Sequence, residues 1–143
     1  MFVYLFNAEE EYRFMNHRFN EHDLDSAVQS IVSRKEDINA RGMEYIFIAI
    51  PAKQTIYGSN IDEFTKNYIN LLTDRLQNEG VKTINLVGIF RANKSSGIYN
   101  NYDTHWNSKG VGIAVSVISE YLIRTYSGIT KRSKLCENCH FEP

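Results

Sequence analysis

Two strongly apolar stretches of strand length, YIFIAI at 45–50 and TINLVGIF at 83–90, restrict most strongly what this chain can fold into. YIFIAI is apolar at every position, rather than at alternate ones, which suits a strand buried on both faces, as in a parallel sheet covered by helices. Between the two runs, Ile61, Phe64, Tyr68, Leu71, Leu72 and Leu76 recur at helical spacing, with Asn60 or Asp62 as the cap and Gly80 as the stop. Strand, helix, strand is a βαβ unit, and its crossover is expected to be right-handed.

The alternation continues on both sides. LDSAVQSIVSRKEDINARG, 24–42, places Leu24, Ala27, Val28, Ile31 and Ile38 on one helical face and ends at Gly42. Ahead of it, FVYLF at 2–6 is a further strand candidate, rich in aromatic and β-branched residues. A third helix is expected from near Ser108, with Val111, Ala114, Val115, Ile118 and Leu122 on its apolar face. The pattern predicts an α/β domain, a three-layer αβα arrangement with a mostly parallel sheet, over 1–126, followed by a polar C-terminal tail at 127–143. A chain of 143 residues suits one such core.

Charge excludes some functions. Sixteen Lys and Arg against seventeen Asp and Glu leave a net charge of -1, so no overall field draws in a phosphate backbone and no nucleic-acid partner is expected. Lys131, Arg132 and Lys134 make only a small basic patch in the tail. No membrane span is expected in this chain, because its apolar runs fall far short of about 18 residues. MFVYLFNAEEEYRF lacks the basic start and long apolar run of a secretory signal, so the sequence as it stands implies a cytoplasmic product or a lost N-terminus.

In parallel sheets, sites gather in the loops beyond the carboxyl ends of the strands. Two segments follow strands here, PAKQTIYGSN at 51–60 and NNYDTHWNSKG at 100–110. In the second, an Asp two residues before a His can fix the imidazole's tautomer and stabilise the imidazolium while the His acts as general base. The same residues also suit a plain helix start, with Asp103 or Asn107 as the cap, His105 at the surface and Trp106 packing the loop onto the core.

Taken together, Y-D-T-H-W-N-x-x-G opening a C-terminal helix and I-P-A-K-Q-T-I-Y closing a buried strand resemble the SGNH hydrolase-like domain of the alginate O-acetyltransferase family, of the AlgJ and AlgX type. The preceding ARGMEYIFIAIP is similar to that family too, and the resemblance covers roughly residues 24 to 125. It implies a Ser-His-Asp enzyme that moves acetyl groups onto or off polysaccharide hydroxyls through an acyl-enzyme. Polysaccharide and an acetyl donor are then the partners, no cofactor or metal is required, and the setting is periplasmic or extracellular. By this resemblance His105 is the base, Asp103 its orienting carboxylate and Trp106 a wall of the site, while Asn107 and Gly110 shape the turn into the helix. Lys53 and Tyr57 match the strand-end motif, as substrate-binding or site-shaping residues with no assigned step.

The family's nucleophile lies in a G-D-S type turn well after D-x-H-W, and no G-D-S occurs in this chain. Ser59 suits a turn or helix cap, and Ser95, Ser96 and Ser127 have less context still. The chain therefore reads as truncated relative to the family, with only the His/Asp part of the site and a serine supplied by a missing segment or a partner. A non-catalytic glycan-binding or assembly module of the same descent is the rival reading. In the tail, Cys136, Cys139 and His140 form C-x-x-C-H, a pattern shared by c-type haem, zinc and redox sites, but a fourth zinc ligand is not apparent and two thiols in a polar tail is the simpler reading.

Overall fold

The computed structural model describes residues 19–58 and 62–126. The strand candidate at 2–6, the tail from 127 onwards with Cys136, Cys139 and His140, and the loop residues Ser59, Asn60 and Ile61 lie outside the described residues. Helix α1 spans Glu21–Ala40 and strand β1 Ile46–Ala49. Next come a short helix α2, Lys53–Tyr57, and the long helix α3, Glu63–Asn78. Strand β2, Lys82–Asn85, leads into a second short helix α4, Val87–Ala92, then a 3-10 turn at Lys94–Ser96 and helix α5, Ser108–Thr125.

Local chemistry explains these limits. Asn20 and Asp23 form a reciprocal capping box, the Asp23 N–H donating to Asn20 Oδ1 at 3.1 Å and the Asn20 N–H to Asp23 Oδ2 at 3.0 Å, which starts α1 three residues before Leu24. Asp62 caps α3, accepting from the Thr65 N–H at 2.9 Å and the Thr65 hydroxyl at 2.8 Å. Gly80, with φ of +70°, closes α3 by letting the Val81 N–H reach back to the Leu76 carbonyl at 2.9 Å.

β1 and β2 pair in parallel in the register Ile46 to Lys82 through Ala49 to Asn85, with α3 as their crossover. Alternate residues of β1 enter different cores. Ile46 and Ile48 join Ile84, Leu86, Phe90, Ile98, Tyr99 and Ala114, with α5 packed on that side through Ile113, Val117, Ile118 and Leu122. Phe47 faces the other way, into the cluster of α1 and α3 with Leu24, Tyr68, Leu72 and Leu76. Helices cover both faces of a parallel sheet, as the apolar runs predict. On the α1–α3 side, the Tyr68 hydroxyl lies 3.4 Å from the Asp23 carbonyl, and burial, with the nearby Asp23 carboxylate adding to it, pushes this phenol up to about 12. Arg75 of α3 pairs with Glu21 at 2.5 Å and also with Asp25 of α1, exposed contacts that orient more than they stabilise.

Two expectations are corrected. The run at 83–90 is strand only to Asn85, and its second half is helix α4. Asn85 makes the break: its Oδ1 accepts from the Val87 N–H at 2.9 Å, and its Nδ2 donates to Asn70 Oδ1 and Thr73 Oγ1, each at 2.9 Å. An apolar stretch as short as LVGIF reads the same in a buried strand as in a short buried helix, and here Val87 and Phe90 are buried while Ile89 is exposed. On α5, Val111 and Val115 point outward, and the inward face is formed by Gly110, Ile113, Ala114, Val117 and Ile118.

Candidate functional site

The segment between α4 and α5 doubles back on itself. Tyr99 and Trp106 form an antiparallel bridge, the Asn107 N–H donates to the Ile98 carbonyl at 3.2 Å, and the Asn100 N–H donates to the His105 carbonyl at 2.9 Å. This ladder leaves residues 101–104 as a projecting turn. Trp106 anchors one arm, its ring 5.2 Å from that of buried Phe90, and the other arm is anchored by Tyr99, whose hydroxyl donates to the Pro51 carbonyl at 2.6 Å. The turn therefore sits beside the end of β1, at the carboxyl edge of the sheet.

The short helix α2 holds the segment from below. Lys53 and Tyr57 are four residues apart, so both side chains leave α2 on one face. Lys53 Nζ donates to the carbonyls of Asn100 at 2.6 Å, Asp103 at 3.0 Å and Asn101 at 3.4 Å. The Tyr57 hydroxyl donates to the Lys94 carbonyl at 2.7 Å and accepts from the Ile98 N–H at 3.4 Å. The Pro-x-Lys-x-x-x-Tyr motif and the Asp-Thr-His-Trp motif are thus two halves of one assembly.

At the turn, Asp103 Oδ1 accepts the His105 N–H at 2.7 Å and lies 3.5 Å from His105 Nδ1. Asn100 Nδ2 supports the carboxylate at 3.2 and 3.4 Å. The hydrogen bond from the His105 N–H, and after it that from Asn100, holds the Asp103 carboxyl below its usual range, with a smaller contribution from the imidazole. The imidazole–carboxylate approach is at the outer limit of hydrogen bonding. Both side chains are open to solvent, His105 at 81% and Asp103 at 53% of full exposure. No hydroxyl of the described residues is hydrogen-bonded to the His105 side chain. Beside the pair, His105, Trp106 and Val111 join Ile48, Ile50, Pro51 and residues of α1 around a mainly apolar cavity of about 540 Å³.

Asn107, not Asp103, caps α5: its Oδ1 accepts from the N–H groups of Lys109 at 3.0 Å and Gly110 at 3.2 Å. Its Nδ2 donates to the carbonyls of Gly97 at 2.6 Å and Tyr99 at 3.2 Å, so one side chain ties the helix start to the returning arm. Asn107→Ala is expected to cost about 2–3 kcal/mol, a lost cap plus the loss of bonds to two carbonyls, read as a lower midpoint in urea unfolding. Asn107→Ser keeps a capping oxygen and loses only the amide donors, so its loss is expected to be smaller. Equal losses would show that the two roles are not separable.

All seven residues singled out from the sequence meet in this assembly, Gly110 through the close approach of α5 to the Ile98 carbonyl. His105 and Asp103 project, Trp106 anchors, and Lys53, Tyr57 and Asn107 hold the backbone. Sequence reasoning missed Asn100, which supports Asp103, and Tyr99, which ties the segment to Pro51. The polar N-N-Y-D spacing, with Asn100 three residues before Asp103, was the available signal for the former.

The profile of the family described as "SGNH hydrolase-like domain, acetyltransferase AlgX" matches residues 4–138. The chain belongs to this family. No curated protein and no solved structure is similar enough to match. The α/β architecture, with its parallel strands between helical layers, accords with an SGNH hydrolase-like domain, and none of the described helices is long and apolar enough to cross a membrane.

Proposed function

We propose that this domain takes part in O-acetyl transfer or de-acetylation at polysaccharide hydroxyls outside the cytoplasm, with His105 as general base and Asp103 as its orienting carboxylate. The observation that carries this reading is the position of Asp103 Oδ1, which accepts the His105 N–H at 2.7 Å and faces Nδ1 at 3.5 Å. A carboxylate on the Nδ1 side favours a proton there and leaves Nε2 as the basic nitrogen. An ionised Asp103 also stabilises the imidazolium that forms when Nε2 takes a hydroxyl proton. In this reading Trp106 walls the site, and the nucleophilic serine comes from another segment or a partner chain.

The test is acetyl release from 4-nitrophenyl acetate and from an acetylated polysaccharide, followed together with the intact mass of the protein. The purified chain is expected to release acetyl slowly from the activated ester and to form no acetyl-serine adduct. Even this slow release is expected to depend on His105 and to fall markedly in His105→Ala. Equal rates in wild type and His105→Ala would sink the assignment of the base. Rapid turnover with an acetyl-serine adduct, abolished by His105→Ala, would instead place the nucleophile within this chain and sink the half-site reading.

A second reading, glycan binding without turnover, draws on Tyr102, a fully exposed aromatic ring one residue from Asp103. Saturable binding of a polysaccharide that is lost in Tyr102→Ala and unchanged in His105→Ala would favour it.

A further inference from the structure

We propose that Lys53 is a positioning residue for the Asp103–His105 pair: its ammonium gathers the carbonyls of Asn100, Asn101 and Asp103 and so forms the turn that presents the carboxylate to the imidazole. This rests on the reading of His105 and Asp103 as base and orienter.

Beyond the bonds that Asn100 and Asp103 make within it, the turn has little else to shape it. Asn101, Tyr102, Asp103 and His105 are exposed and Thr104 is only partly buried, so no apolar side chain fixes the backbone at its tip. Exposed turns without buried contacts open at little cost. Three carbonyl oxygens brought to one point repel one another through their partial negative charges unless a cation lies between them. The ammonium of Lys is a compact charge with three donors, and it finds three acceptors at 2.6, 3.0 and 3.4 Å. One of them, the Asp103 carbonyl, belongs to the residue whose carboxylate faces His105, and another, that of Asn100, to the residue whose amide supports that carboxylate. Lys53 therefore sets the backbone of both partners without touching the imidazole. Tyr57 holds the same segment at Lys94 and Ile98, on the arm away from the turn.

The experiment is an NMR titration of the Asp103 carboxyl carbon and the His105 backbone amide in the whole chain, for wild type, Lys53→Met, Lys53→Arg and Tyr57→Phe. In wild type the His105 amide is expected to report protonation of Asp103, because its N–H donates to that carboxylate. In Lys53→Met the Asp103 titration is expected to move up toward the ordinary carboxylate range, and the His105 amide to lose its response. Lys53→Arg keeps the charge, but its planar fork does not converge on three carbonyls, so an intermediate shift is expected. Tyr57→Phe is expected to leave both signals in place.

An Asp103 titration unmoved in Lys53→Met overturns the proposal, and so does a shift of the same size in Tyr57→Phe. Should Lys53→Met fail to fold, Lys53→Arg decides: an intermediate shift supports the positioning role and a wild-type titration overturns it. These signals need no turnover, so they fail separately from the catalytic reading, which fails on the acetyl-release rates of His105→Ala.

Discussion

Gly110→Ala is expected to destabilise the domain by about 3 kcal/mol, although alanine is ordinarily the better helix former by about 1 kcal/mol. Gly110 lies in the first turn of α5, and a Cβ built there would sit 2.4 Å from the Ile98 carbonyl oxygen and 3.2 Å from the Trp106 Cβ. The obstacle is backbone, held by the hydrogen bond from the Asn107 N–H, so it has no rotamer by which to move aside. Relief requires α5 to separate from the arm at 98, which breaks the Asn107 ties as well. Gly112, one half-turn further along the same helix, has nothing within 4 Å of the equivalent position. Gly112→Ala is therefore expected to stabilise by about 0.5–1 kcal/mol. Urea unfolding of the two variants side by side is the check, and the same sign for both would refute the close approach.

Phe90→Ala is expected to cost about 3–5 kcal/mol, the range for removing a fully buried aromatic ring and leaving a cavity. Phe90 has no exposed surface and its ring meets those of Tyr99, at 6.0 Å, and Trp106, at 5.2 Å. These two residues anchor the opposite arms of the segment that carries Asp103 and His105. Loss of stability is thus expected to come with loosening of the site, reported by the fluorescence and near-ultraviolet dichroism of the chain's single Trp. Unchanged signals from Trp106 in a folded Phe90→Ala protein would separate the core from the site and contradict this coupling.

Phe90 also marks where sequence reading and structure part. The sequence predicts it in a strand, because an apolar run bounded by polar segments carries no period. Its burial was legible; its helical setting was not. The deciding feature is the side chain of Asn85, which bonds to Asn70 and Thr73 on α3 and to the Val87 N–H. Those partners stand 12 and 15 residues away in sequence, beyond the reach of any local pattern. α2 escaped notice for a different reason: at Lys53–Tyr57 it is too short to show a repeat.

The helix starts and stops, by contrast, were written locally. Asp62, Asn107, Gly42 and Gly80 act within a few residues of themselves, through side-chain caps or positive φ, so their meaning survives without knowledge of the fold. The pairing of Asp103 with His105 was legible for the same reason, being a contact two residues apart. What Lys53 and Tyr57 do was not. Their sequence positions match a motif, but the carbonyls they hold lie 37 to 50 residues further on.

From the sequence alone follow the alternation of strand and helix, the parallel sheet buried between helical layers, and the Asp and His that share one turn, because periodicity and short-range hydrogen bonding depend on neighbours in the chain. Only the tertiary structure decides that α2 grips that turn from beneath, that Asn85 cuts a strand short, and that Gly110 must lack a side chain, because each depends on atoms brought together from distant segments at distances of a few ångströms.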